Sequence, residues 1–294
     1  MARYSIKDME RLSGIKAHTL RIWEKRYDFL KPRRTQTKIR FYSDEDLKKI
    51  LNIALLNRNG YKISRIAKLT NEEIYKKVTD ITNKQFDTKT QVDNLVISTV
   101  GLDEKRFDKI LNNLILQVGF EETIMHTVYP FLGKIGILWQ TGAINPAQEH
   151  FITNLIRQKM ILAIDGIVES EKPDAKSFLL FLPEGEMHEI GLLFYHYIIK
   201  KHGHKVIYLG QSVPFNDITD IMEIKESDIL LTTFIMKIAG FDVYEYLQNL
   251  SSTFANKKIL FSMYEEDTKE KKLPANVIRI KNIGHFKDIL NTLD

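Results

Sequence analysis

Residues 5–27 read SIKDMERLSGIKAHTLRIWEKRY, and the fold of the N-terminal region turns on how this stretch divides. Ser5 followed three residues later by Asp8 is a capping-box pattern, and Ile6, Met9 and Leu12 recur at helical spacing until Ser13-Gly14 breaks the helix. A second helix is expected from about Ala17 to Tyr27, with Leu20, Trp23 and Tyr27 turned inward and His18, Thr19, Arg21, Lys25 and Arg26 outward. Two short helices around a tight glycine turn, the second opening with cations and hydrogen-bonding groups, suit the reading of a DNA major groove. Trp23, on the inward stripe, is core.

Outward from this stretch, Lys31-Pro32-Arg33-Arg34, Thr35-Gln36-Thr37-Lys38 and Ile39-Arg40-Phe41-Tyr42 alternate around turn residues and predict a small β-wing whose cations meet phosphates. Ser43 with Asp46 caps a third helix through Leu47, Ile50, Leu51 and Ala54 to Gly60, and Thr70 with Glu73 caps a further short one. The first seventy residues hold 18 Lys and Arg against 7 Asp and Glu, a net of +11, while the rest of the chain holds 25 against 31, a net of −6. A positive field confined to one small domain marks a polyanion-binding head on a neutral or acidic body.

The run from Tyr4-Ser5-Ile6 through His18-Thr19-Leu20-Arg21, Glu24-Lys25-Arg26-Tyr27, Leu30-Lys31-Pro32 and Arg40-Phe41-Tyr42-Ser43-Asp44-Glu45-Asp46-Leu47 resembles the MerR family of transcriptional regulators. The resemblance implies a winged helix-turn-helix domain over residues 1–81 that binds palindromic promoter DNA as a dimer. It implies His18, Thr19 and Arg21 near bases, and Tyr27, Arg33, Arg34, Lys38, Arg40 and Tyr42 near phosphates.

Between about Thr82 and Gln91 the apolar period lapses, which predicts a linker. Helical spacing returns with Leu95, Val96 and Val100; Phe107, Ile110, Leu111, Leu114 and Ile115; Ile124, Val128, Phe131 and Leu132; and Leu155, Ile156, Met160, Ile161 and Ile164. Four helices with short connections predict an antiparallel bundle over residues 92–170. Trp139 precedes a turn containing Gly142, and Glu149-His150 open the last helix after Asn145-Pro146. Taken alone, Trp139 reads as packing and Glu149-His150 as a helix N-terminal charge preference.

From residue 176 to 294, five β-rich runs alternate with helical patterns: 177–182, 206–209, 228–233, 258–262 and 277–280. The pattern predicts a doubly wound, five-stranded parallel sheet of flavodoxin-like size, with a ligand site beyond the carboxyl ends of the strands. Glu186-Met187-His188-Glu189-Ile190-Gly191 falls there, after the first strand and at the start of the first helix. A carboxylate two residues before a histidine lets the imidazole bind a metal while the carboxylate orients its other nitrogen, and Gly191 allows a bulky ligand close to the helix start. The fold class is thus multidomain: a winged helix-turn-helix, a four-helix bundle and an α/β doubly wound domain.

Trp139 followed by Glu149-His150, the loop with Glu186 and His188, and Tyr208-Leu209-Gly210 with Pro214 together resemble the cobalamin-binding module of methionine synthase and of light-responsive adenosylcobalamin-dependent repressors. By that resemblance His188 is the lower axial ligand of cobalt. Trp139 and Glu149 cover the upper face, and His150 ligates cobalt after light breaks the cobalt–carbon bond. Two positions depart from the family: its Ser-x-Leu after strand three appears as Thr232-Thr233-Phe234, with Thr232 supplying the cofactor-facing hydroxyl, and its paired glycines after strand four are Ser262-Met263. Those glycines leave room for the nucleotide tail of cobalamin, and a methionine there narrows it.

The expectation is a cytoplasmic, non-enzymatic regulator, a repressor, whose cobalamin-binding module (adenosylcobalamin) controls homo-oligomer state, dimer or tetramer, and so DNA affinity. Two alternatives stand beside it: a cofactor-free module used for dimerisation or another ligand, and a corrinoid-dependent methyltransferase component. With no cysteine, the chain has no disulfide, thiolate zinc site or cysteine nucleophile. It has no run of eighteen apolar residues and no apolar signal-peptide core. Gly-rich phosphate loops are absent. His196, His202 and His204 are expected on a solvated surface rather than in a metal site.

Overall fold

The computed structural model describes residues 4–27, 29–30, 32–34, 40–84, 88–168, 172–235, 241–263 and 272–293. They fall into two compact units, residues 1–155 and 156–294. Among the described residues no helix is long and apolar enough to cross a membrane.

In the first unit α1 (Ile6–Ser13) starts at a complete Ser5/Asp8 capping box and ends on Gly14. Gly14 takes φ +70, a left-handed turn that costs a residue without a Cβ nothing in strain. α2 (Ala17–Tyr27) follows, burying Leu20 and Trp23. The wing is a two-stranded antiparallel pair, β1 (Arg33–Arg34) and β2 (Arg40–Phe41). A backbone bridge between Tyr4 and Tyr42, with N–H to O distances of 3.0 and 2.9 Å, closes the wing onto the start of the chain. α3 (Asp44–Arg58), also with a complete capping box, α4 (Ile63–Ile66) and α5 (Asn71–Lys84) complete the head.

The bundle comprises α6 (Thr88–Val100), α7 (Glu104–Val118), then α8 (Phe120–Thr123) continuing through a π-helical turn (Ile124–Val128) into α9 (Tyr129–Gln140), and α10 (Pro146–Asp165). The π turn has a local cause. Pro130 has no N–H to give the carbonyl four residues back, and the ladder skips to Tyr129 N–H donating to Ile124 O. α6 corrects the expected linker: helix runs from Thr88, and every residue from Thr90 to Val100 is buried. Its buried polar side chains bond back to their own helix, Asn94 Nδ2 to Thr90 O at 3.0 Å and Thr99 Oγ1 to Leu95 O at 2.8 Å. Asp93, 2 % exposed, lies 2.7 Å from Arg58 Nη2 and accepts a 2.6 Å hydrogen bond from Lys134 Nζ, so one carboxylate joins α3 of the head to α6 and α9. α5 is longer than the short helix expected.

The second unit is a five-stranded parallel sheet in the order β4-β3-β5-β6-β7: β3 (Ser177–Pro183), β4 (Lys205–Val213), β5 (Ile229–Phe234), β6 (Lys258–Met263) and β7 (Val277–Arg279). The crossovers are α11 (Ile190–Lys201), α12 (Phe215–Ile224) and α13 (Val243–Thr253), and α14 (Ile283–Asn291) closes the chain. β3, an interior strand of the order, is a run of apolar side chains buried from Phe178 to Pro183, as a strand covered on both faces must be. On one face Leu179, Phe181, Leu230, Phe234, Ile259 and Phe261 pack with Ile218 and Met222 of α12 and Leu247 and Leu250 of α13. The border strand β4 shifts register against β3, with Gly210 at φ +84 and Ser212 at φ +50.

Candidate functional site

The surface of the head gathers cations on two elements. On α2, His18 and Arg21 are exposed and Thr19 is half-buried; on the wing, Arg33, Arg34 and Arg40 are exposed. Register places Arg34 opposite Arg40. Like charges directly across a strand pair repel, a cost that a polyanion between them would offset. Arg40 lies 3.7 Å from Glu24, which tempers its charge. Tyr27 is half-buried against Phe29, with Arg26 over its ring. Tyr42 needs correcting: it is 0 % exposed, and its hydroxyl donates to Glu24 at 3.2 Å, so it packs in the core instead of facing phosphate. Burial, then the Glu24 charge, pushes its phenol up to about 12. Lys38 lies outside the described residues.

In the bundle, Trp139 ends α9 with 49 % of its surface exposed, followed by Gly142 in a left-handed turn. Asn145 and Gln148 cap α10 reciprocally, at 2.9 and 3.1 Å, which sets Glu149 and His150 in its first turn. Thr153 donates to Glu149 Oε1 at 2.7 Å, and the His150 side chain is 72 % exposed. An exposed indole, a steadied carboxylate and an exposed imidazole are thus presented by adjoining stretches of one unit.

In the second unit the loop from β3 to α11 carries the other expected set. Glu186, 1 % exposed, is held by three contacts: Ile235 N–H donates to Oε2 at 2.9 Å, and Oε1 lies 3.0 Å from the His188 amide nitrogen and 2.6 Å from its Nδ1. An ionised carboxylate only accepts, so Nδ1 carries the proton and the acceptor lone pair of the ring is on Nε2. That tautomer fits a cobalt ligand whose side chain is 45 % exposed, and a Cβ at Gly191 would meet nothing within 4 Å, which leaves open space over the helix start.

Thr232, whose hydroxyl was expected to face the cofactor, is fully buried. Strand alternation puts Thr232, 0 % exposed, on the face with Phe234 and Leu230, which packs on α12 and α13. Thr233 points to the other face, in register with Ser262, whose side chain hydrogen-bonds Tyr195 of α11. Tyr195 is 7 % exposed and meets the Phe286 ring edge-on at 4.8 Å. Sequence reasoning flagged Ser262-Met263 but missed Tyr195 and Thr233; the strand parity of Ser262 was the available signal.

The three histidines around α11 are not a solvated group. His204 is 4 % exposed beneath Phe178, and its Nδ1 accepts from Lys176 N–H at 3.2 Å. His196 is half-buried and stacks on Tyr208 at 5.3 Å, its Nδ1 without a hydrogen-bond partner among the described residues. Among the described residues no group of three or more metal-ligating side chains occurs. Burial, with Lys200 one turn on, pushes the His196 imidazole down to about 4. The unfolded chain then binds that proton first, and stability falls as pH drops from about 6.5 toward 4. We expect the second unit to lose about 2 kcal/mol between pH 7 and 5, and His196→Phe, which keeps a ring on Tyr208, to remove that loss. Urea midpoints at the two pH values test this; equal pH dependence in both proteins rejects it.

Residues 4–73 match the family model described as MerR HTH family regulatory protein, and residues 91–163 match the B12 binding domain. The HTH-type transcriptional repressor CarH of Myxococcus xanthus is 26 % identical over 221 residues, 73 % of this chain and 73 % of that protein. The repressor CarA of the same organism is 28 % identical over 211 residues, 71 % of this chain and 68 % of its own length. The monomethylamine corrinoid protein of Methanosarcina barkeri superposes with a TM-score of 0.56 at 15 % identity, covering 70 % of this chain and 100 % of the other, a likeness of fold.

Proposed function

From a MerR-type helix-turn-helix domain joined to a B12-binding domain, we propose that this chain is a cobalamin-sensing transcriptional regulator, acting as a repressor and not as a catalyst. In this reading residues 1–81 grip duplex promoter DNA as part of a homo-oligomer in the cytoplasm, and residues 92–170 and 176–294 hold adenosylcobalamin. His18, Thr19 and Arg21 meet bases, while Tyr27, Arg33, Arg34, Arg40 and, outside the described residues, Lys38 meet phosphates. His188 would ligate cobalt with Glu186 fixing its tautomer, Gly191 would give clearance, and Trp139, Glu149 and His150 would contact the bound cofactor. When bound, cobalamin supplies a cobalt–carbon bond that light can break. The protein's part is to exclude water above the metal with the indole, hold a proton at His188 Nδ1, and offer His150 as a replacement ligand. Different contacts in the two ligation states would set the coupling free energy between cofactor and DNA.

The observation that carries the proposal is the buried Glu186 carboxylate 2.6 Å from His188 Nδ1 at the carboxyl end of β3. Purified in darkness with adenosylcobalamin, the full chain should retain the chromophore, and His188→Ala should change its absorption spectrum and weaken binding about 10–100-fold or more. No bound corrinoid in the parent protein, or a spectrum indifferent to His188→Ala, rejects the ligation.

A second reading, a cofactor-free module that binds partner copies, draws on Tyr195 bonded to Ser262 and packed against Phe286, and on Met263 packed into the core on the opposite face of the sheet. It expects Ser262→Gly with Met263→Gly to turn a non-binder into a cobalamin binder.

A further inference from the structure

His188 is flanked by two buried carboxylates, Glu186 and Glu189. Glu189 follows it directly, is 5 % exposed, and stands at the N-cap of α11 with φ −84° and ψ −7°. Its side chain makes no capping bond there. Instead Oε2 accepts the Tyr208 hydroxyl of β4 at 2.7 Å, and Oε1 accepts Arg157 Nε of α10 in a short contact. Tyr208 is itself braced, its ring stacked on His196. A carboxylate that forgoes its own helix to bond two other elements is fixing their mutual position.

We infer that Glu189 is a positioning residue for His188, fastening the loop and the first turn of α11 to β4 through Tyr208 and to α10 through Arg157. The inference rests on the reading of His188 as the cobalt ligand, and it adds a second anchor to it. Glu186 sets which ring nitrogen carries the proton. Glu189 sets where the peptide bearing that ring stands, because residues 186 to 189 are then tied at both ends: at Ile235 after β5, and at Tyr208 and Arg157. The guanidinium contributes more than charge, since its planar fork constrains the angle of approach in a way an ammonium does not. An imidazole on a loop released at one end visits the ligating geometry only part of the time, and its apparent affinity falls by that fraction.

The test uses the full chain with hydroxocobalamin as probe, following by absorbance the coordination of imidazole to cobalt, and amide hydrogen exchange of the cofactor-free protein. Arg157→Met and Glu189→Gln should weaken imidazole ligation about 10–100-fold, the range for partners that orient a metal ligand, and Arg157→Lys should recover part of the loss. In the cofactor-free protein the same two variants should exchange faster at residues 186–192 and unchanged at residues 177–182 of β3. Arg157 is half-exposed on a helix, so Arg157→Met serves as the folded variant even if Glu189→Gln does not accumulate. Faster exchange at 186–192 with no cobalt–imidazole spectrum in the parent protein would keep the positioning role and sink the cobalamin reading. A parent spectrum unaltered by Arg157→Met, or exchange that rises equally in β3, overturns the inference.

Discussion

The double substitution Arg58→Met with Lys134→Met is expected to destabilise the N-terminal unit by about 3–5 kcal/mol, the range for stripping the partners from a buried charge. Asp93 is 2 % exposed; it pairs with Arg58 of α3 at 2.7 Å and accepts a hydrogen bond from Lys134 of α9 at 2.6 Å. Without its cations the carboxylate is left dry, and it must either stay ionised at a high price or take up a proton. Asp93→Asn should be milder. It deletes the buried charge and strands only Arg58 and Lys134, whose side chains are 33 % and 24 % exposed and can still reach water. Urea unfolding of the full chain, with helical signal assigned by hydrogen exchange, measures both. An equal or larger loss in Asp93→Asn would show that the cations, not the carboxylate, are the stranded groups. Because the trio spans the head and the bundle, the two should also unfold in one step in the parent protein.

Affinity for duplex DNA should collapse by about 10³–10⁵-fold as salt rises from 50 to 200 mM, the loss for roughly six to ten neutralised phosphates. Arg21 on α2 and Arg33, Arg34 and Arg40 on the wing are all exposed, and a two-fold assembly would double the set. Arg33→Ala should weaken every sequence about equally and reduce the salt slope by about one per copy. Arg21→Ala should instead relax discrimination between operators, by about 1–3 kcal/mol at its base. Titration of labelled duplexes at several salt concentrations separates these outcomes. A slope near zero would remove the head from DNA altogether.

The three side-chain capping patterns were the most legible features of the sequence, since Ser5 with Asp8, Ser43 with Asp46 and Thr70 with Glu73 each bond reciprocally across a helix start. The five strands were equally plain, because apolar runs such as Leu179 to Leu182 have no helical period. The first turn of α6, Thr88 to Gln91, was not, for a physical reason: Thr90 and Gln91 are polar residues that are buried, so the start of this helix shows no apolar period. Which face of the sheet Thr232 takes was not legible from the motif, because in a strand one residue exchanges the faces of the sheet. Tyr42 was misplaced because a motif read along the chain does not show that a backbone bridge to Tyr4 turns the ring inward. The loop at His188 was located correctly from strand order alone, whereas the bond from Arg157 to Glu189 joins residues too far apart in sequence for any local pattern to reveal.

The irregular border strand has a bearing on self-association. Positive φ at Gly210 and Ser212, with the broken pairing against β3, buckles β4, so its outer hydrogen-bonding groups do not form the straight ladder that another strand needs as a template. The opposite margin, β7, is three residues long and offers little more. Copies of this molecule are thereby steered away from growing a continuous intermolecular sheet, the route to fibrils.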